Sequence, residues 1–239
     1  MEAWIDDVSF YLMPSRHPLK GYEKQYTEAY SVWRAAWEKF YTDLKIEQPL
    51  NSDPFCVTDE VGAIYYKGEC VAVVCFTHGD LGGQYPMKDC QWFRSWTPAA
   101  MEKISTISRN CIICSQFSVS PKFAGRDQVT RWKDVLTLYV YLRFENSDAG
   151  VMAGHLNGTK GMVKTSGGDH GATVLESDHE LILHGIPLNS QLVAYEREGL
   201  ANLWEAKNLR SHCDHLWSRL IHLSDFHANH MIVPLRKAA

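Results

Sequence analysis

The sequence predicts an α/β (α+β) domain with a mixed, mostly antiparallel central sheet flanked by helices. Three observations predict it. A hairpin, Gly62–Tyr66 and Val71–Thr77 about the turn Lys67-Gly68-Glu69, comes early in the chain. Between Cys111 and Phe144 an apolar strand, a basic Pro/Gly loop and a helix follow one another. Further strands come after that helix, so the order is not a regular parallel repeat.

Taken in order, residues 1–20, broken by Pro14 and Pro18, predict no element. Tyr22–Leu44 lacks Pro and internal Gly and places Tyr26, Ala29, Tyr30, Trp33, Trp37, Phe40 and Tyr41 three and four apart, an amphipathic helix whose aromatic stripe reads as core. Gln48–Pro54 is a loop and Phe55–Asp59 a short strand ahead of the hairpin. The Gly- and Trp-rich stretch His78–Pro98 has no period and the length of a functional loop. A helix over Pro98–Ile107 follows, then strand Cys111–Val119, loop Pro121–Asp127 and helix Gln128–Asn146. Gly150–Leu156 predicts a strand and Gly158–Thr165 a short helix. Ala172–Glu176, Glu180–Leu188 and Leu192–Glu196 close the sheet, and Leu200–Asp225 is a helix with a basic tail behind it.

Its 239 residues, 45% apolar and 22% charged, suit one globular domain over 1–239 with a C-terminal helical extension at about 200–239. A formal charge of −4 argues against non-specific nucleic-acid binding, which needs a positive surface. The N-terminal MEAWIDDVSFYLM is too acidic for a secretory signal, and no apolar run reaches the ~18 residues of a membrane span. Seven cysteines scattered through apolar segments read as reduced, buried thiols, so the expectation is a soluble cytoplasmic protein without an integral membrane segment. Cys111 and Cys114 have CxxC spacing, but on a strand they point to opposite faces, and no second pair completes a zinc site. The C-terminal His212, His215, His222, His227 and His230 lack an H-E-x-x-H pattern and read as a solvated face, so no metal is expected.

Chemistry concentrates where strand 111–119 turns into the next helix. A helix start offers free N–H groups to an anion, and Lys122, Arg126, Arg131 and Lys133 add positive charge beside it.

The element order resembles that of the GNAT-type N-acyltransferases, over roughly residues 20–197. The run Phe117-Ser-Val-Ser-Pro-Lys-Phe-Ala-Gly-Arg126 resembles their strand and phosphate loop, with Ala124, Asp127 and Val129 departing from its usual residues. Ser115-Gln-Phe-Ser-Val-Ser-Pro121 and His184-Gly-Ile-Pro-Leu188 are similar to segments of the acyl-homoserine-lactone synthases and long-chain N-acyl amino acid synthases, as is Arg34 in the first helix. Ile113 stands where that branch has an acidic residue and Gln116 where it has Arg.

The resemblance implies transfer of an acyl group from an acyl carrier protein or acyl-CoA thioester to the amine of a small molecule, an amino acid among the candidates. Acyl-CoA or acyl-phosphopantetheine would be a co-substrate, with no tightly bound cofactor. Phe117, Ser118 and Val119 would meet the pantetheine arm if the neighbouring strand splays away. Lys122, Phe123, Ala124, Gly125, Arg126 and Arg131 would hold phosphate. Candidate catalytic residues are His155, His78, Asp80 and Ser115; histidine suits a base because it titrates near neutrality. An acetyl-CoA-dependent acetyltransferase and a catalytically inactive ligand-binding module of the same fold are the alternatives.

Overall fold

The computed structural model describes residues 5–82, 92–125, 131–157, 171–207 and 210–224. Eight strands form one sheet: β1 (Val8–Pro14), β2 (Glu60–Tyr66), β3 (Glu69–Asp80), β4 (Asn110–Val119), β5 (Val151–Asn157), β6 (Ala172–Leu183), β7 (Ile186–Tyr195) and β8 (Leu220–His222). Their spatial order is β6-β7-β5-β4-β3-β2-β1-β8. β4/β5 and β1/β8 run parallel and the other neighbours antiparallel, as the sequence predicts for a mixed, mostly antiparallel sheet.

Two helical layers cover it. On one face lie α1 (Glu23–Asp43), the single turn α2 (Asp53–Cys56) and α3 (Pro98–Ile107), whose Trp33, Phe55, Met101 and Ile104 pack on Val61, Val73, Cys75, Ile113 and Ala153. On the other lie α4 (Trp132–Glu145), α5 (Arg197–Lys207) and α6 (Arg210–Ser218), packed on Phe10, Ile64, Val74, Phe76, Ile112 and Met152. Strand alternation sorts the residues: Val73 and Cys75 face α1, while Val74 and Phe76 face α4. Cys111 and Cys114 part in the same way, to opposite faces. α4 lies so close to β2 that a Cβ on Gly62 would collide with the Tyr139 ring.

The hairpin, α3 and β4 stand where the periodicity places them, and four segments differ. Residues 8–14 form a strand, because Pro14 sits at its last position and leaves the ladder to β2 intact. The expected strand at 55–59 is instead the turn α2: Pro54 lies at the helix start, and Phe55 and Cys56 donate to the Ser52 carbonyl. The expected helix over 200–225 is two helices followed by β8, so the C-terminal extension returns to the sheet edge beside β1. Glu180–Leu188 reverses at His184 (φ 49°) and Gly185 (φ 81°), joining β6 to β7 as a hairpin. The helix expected over 158–165 lies outside the described residues. Among the described residues no helix is long and apolar enough to cross a membrane.

Candidate active site

β4 pairs with β3 from Asn110 to Ser115, and then the register shifts so that Ser118 meets Val73. β4 therefore carries one residue more than β3 at that point, a bulge, and Gln116 within it is left-handed at φ 57°. Trp33 donates its indole N–H to Gln116 Oε1 at 2.9 Å, fastening the bulge to α1.

Beyond the bulge the sheet opens. β4 pairs with β5 only over Cys111–Ile113 and Val151–Ala153. β5 continues against β7 to Asn157, while β4 continues against β3 to Val119. The two parallel strands diverge as a fork, with its apex at Cys114 and Gly154, where a Cβ on Gly154 would lie 3.5 Å from the Cys114 carbonyl oxygen. On its β5 side, β4 has no strand partner from Ser115 to Val119 among the described residues. An extended ligand carrying amides can lie there as an added strand.

The expected phosphate loop follows directly. Ser120 donates its N–H to the Val71 carbonyl at 2.9 Å, and Pro121–Phe123 make one 3₁₀ turn. Ala124 and Gly125 are exposed, and nothing lies within 4 Å of a Cβ built on Gly125. Lys122 pairs with Glu69 at 2.7 Å and Arg131 with Asp134 at 3.2 Å. Phe123 sets its ring edge-on to Trp132 at the start of α4. Phe117 and Val119 pack partly against the α4-side core, and Ser118 donates its hydroxyl to the Gln116 carbonyl at 2.8 Å. Arg126 lies outside the described residues.

Two candidate catalytic side chains stand just past the apex. Ser115 is on β4 and His155 on β5, and both Ser115 Oγ and His155 Nε2 are buried without a hydrogen-bond partner among the described residues. The His155 ring lies 5.7 Å from that of Trp96 and stacks on that of His179 at 5.5 Å and 20°. Burial, with the neighbouring His179 adding to it, pushes the His155 pKa down to about 4, so its imidazole is neutral at physiological pH. His179 and Glu176 on β6 are site residues that sequence reasoning missed. Two register shifts in β6, between Val174 and Glu176 and between Glu176 and His179, break the two-residue period that would have flagged a shared face. His179 Nδ1 lies 3.2 Å from Glu176 Oε1, and Thr97 donates its hydroxyl to Glu176 Oε2 at 2.8 Å. That Thr97 bond, with His179 assisting, holds the Glu176 pKa below the usual carboxylate range despite some desolvation.

His78 and Asp80 do not join this group. His78 lies on the α4 side of the sheet, where Glu60 Oε2 accepts from Arg143 Nε at 2.9 Å and lies 3.1 Å from His78 Nε2. Burial works against the Glu60 charge, but His78 and Arg143 outweigh it and hold the pKa at about 2. Asp80, at the far end of β3, accepts from Arg109 Nε at 2.6 Å. Among the described residues no group of His, Cys, Asp or Glu is placed to hold a metal.

No family model matches the chain, and no curated protein matches its sequence. Solved structures do match by shape. FeeM, an N-acyl amino acid synthase from uncultured soil microbes, superposes with a TM-score of 0.52 at 9% identity, over 86% of this chain and 98% of its own. BjaI, a CoA-dependent acyl-homoserine lactone synthase solved with SAM and isopentyl-CoA, superposes with a TM-score of 0.54 at 10% identity, over 91% of this chain and 94% of its own. The same synthase solved with MTA gives the same values. At these identities the likeness is one of fold.

Proposed function

We propose, from the premise that the chain has the GNAT fold of these N-acyltransferases, that it moves an acyl group from a thioester to the amine of a small molecule. The observation that supports this best is the fork between β4 and β5. Among the described residues it leaves the β5-facing backbone groups of Ser115–Val119 unpaired, a row suited to the amides of a pantetheine arm. The arm then leads to the loop Lys122–Gly125, where the start of α4 and the charges of Lys122 and Arg131 face the donor's phosphates. The donor is a co-substrate, acyl-CoA or an acyl carrier protein, that leaves after each turnover.

At the apex the thioester carbonyl meets Ser115, whose buried hydroxyl is a free donor for the oxygen as it gains charge. The acceptor amine meets His155, neutral and with a free ring nitrogen, across the fork. His78 and Asp80 serve the fold through their contacts with Glu60 and Arg109, and the proposal gives them no part in the chemistry. A donor longer than acetyl is favoured because the similar folds include an N-acyl amino acid synthase and a synthase solved with isopentyl-CoA, and a cytoplasmic site suits the free cysteines among the described residues.

Thermal-shift titration with octanoyl-CoA, palmitoyl-carrier protein and acetyl-CoA tests the donor, since a ligand that binds only the folded state raises its Tm. Thiol release with a panel of amino acids and alkylamines then tests transfer. A shift and turnover with a long-chain donor is the expected result. A shift with acetyl-CoA alone selects the acetyltransferase, binding without turnover of any amine selects the inactive module, and no shift with any thioester sinks the proposal.

A further inference from the structure

An amine acylated by a thioester must first lose a proton, because an ammonium has no lone pair. Position 113, the acidic position in the resembling synthases, holds Ile113, which is 5% exposed and packed under α3. The base must stand elsewhere. His155 is a poor final proton acceptor, since burial disfavours its charged form.

Its stacking partner differs in one respect. Glu176 accepts a hydrogen bond from His179 Nδ1, so the Nδ1 carries the hydrogen and the Nε2 keeps its lone pair. His179 is 5% exposed, and its Nε2 is buried without a partner among the described residues. Neither Nε2 atom has a partner among the described residues, and with His155 in its Nδ1–H tautomer both can accept from a ligand that brings N–H groups. The partly exposed Glu176 behind them holds the His179 ring through its Nδ1.

Among the described residues the groups facing the stack are few. α3 and its cap contribute Thr97, bound to Glu176, and Lys103, whose Nζ lies 3.4 Å from the Leu175 carbonyl. β6 contributes Asp178, hydrogen-bonded by Ser177, and β7 contributes Ser190, which donates to the His179 carbonyl at 3.1 Å. Trp96 borders His155 with an apolar ring.

We infer that His155, His179 and Glu176 form the acceptor site, that its ligand class is a primary ammonium, and that His179 is the base. This rests on the acyltransferase reading for its chemistry but not for its binding. The ammonium donates to the two Nε2 atoms and gives one proton to His179 Nε2. The freed amine lone pair forms the C–N bond, the C–S bond breaks, the amine's second proton passes to the departing thiolate, and His179 returns its proton to solvent. The products are an amide and a free thiol.

The test uses the full chain with 15N-histidine, titrated at pH 7 with n-butylammonium chloride and, separately, tetramethylammonium chloride, which has the same charge and no N–H. The Nε2 signals of His155 and His179, assigned from H155Q and H179Q, should move together with the first salt and stay still with the second. Equal movement with both salts, or none with either, overturns the amine site. Thiol release from the best donor is then read for E176Q and H179Q. H179Q should lose about 100-fold in kcat with the donor KM unchanged. E176Q, which keeps the size of the side chain and can still accept from His179 Nδ1 while its NH2 donates to the Thr97 hydroxyl, should move the acidic limb of the pH profile downward. Unchanged kcat and pH profile in both variants remove His179 as base while leaving the acyltransferase reading intact. If butylammonium moves both signals but no thioester reacts, the acyltransferase reading falls and the ammonium site remains.

Discussion

The indole N–H of Trp33, a fully buried residue of α1, donates to Oε1 of Gln116 in the bulge of β4 at 2.9 Å. Gln116 holds a left-handed backbone that costs a non-glycine residue about 1 kcal/mol, and its side-chain bond offsets part of that strain. Gln116→Gly should therefore be more stable than Gln116→Ala by about 1 kcal/mol in urea unfolding. Trp33→Phe, which keeps an aromatic ring but removes the donor and leaves a small cavity at a fully buried site, should cost at least about 1 kcal/mol and raise the donor KM as the bulge loosens. Equal stability of the two Gln116 variants would show that the backbone there is not held.

Glu60 links pH to stability. Its folded pKa of about 2 lies below its ordinary 4.5, so the native state binds this proton more weakly than the unfolded chain does. The stabilisation is full above about pH 4.5 and is lost as pH falls towards 2. Glu60→Gln should lower neutral-pH stability by roughly 3 kcal/mol, because Arg143 stays buried without its counter-charge. It should also flatten the pH dependence of urea unfolding between pH 5 and 2, relative to the parent chain. A variant as acid-sensitive as the parent would place the acid response in other carboxylates.

Much of the frame is legible in the sequence because local chemistry agrees with it. Lys67-Gly68 forms a tight turn at φ 51° and 80°, and Thr97 caps α3 beside Pro98, so hairpin and helix need little tertiary help. β1 is not legible, since Pro14 and Pro18 argue against order and only pairing with β2 reveals the strand. β8 is three residues long and exists through its contact with β1. Of the site, His155 and Ser115 stand out by their places on β5 and β4. His179 does not, being one of eleven histidines whose relation to Glu176 depends on two bulges that no spacing announces.

Gly154 sits at the fork apex with an ordinary backbone, and a Cβ there meets the Cys114 carbonyl oxygen at a van der Waals distance of 3.5 Å. Gly154→Val should fold with a Tm within a few degrees of the parent and fill the opening. Donor binding should weaken by at least about tenfold, equivalent to about 1.4 kcal/mol. Calorimetry with the best thioester checks this, and unchanged affinity would move the donor out of the fork.

Tyr41 on α1 and His184 at the β6–β7 turn meet at 2.9 Å, Tyr41 Oη to His184 Nε2, joining elements 143 positions apart. Tyr41 is half-buried and His184 exposed, so Tyr41→Phe, which removes one hydrogen bond, should change stability by about 1 kcal/mol or less. The bridge spans the side of the sheet on which His155 and His179 lie, so the variant should raise the KM of the amine and leave that of the donor unchanged. Steady-state kinetics with each substrate varied in turn separates the two effects.

Among the described residues β6 forms an edge of the sheet, and it carries Val174 and Ile182 exposed at 39% and 64%. A straight strand of that kind would recruit another chain by backbone pairing. The shifts at Val174/Glu176 and Glu176/His179 interrupt its row of hydrogen-bonding groups and set Glu176 and Asp178 along it. The irregularity that brings Glu176 and His179 to the His155 ring thus also keeps the edge from templating aggregation. Straightening β6 by deleting one bulge residue would be felt first as loss of solubility.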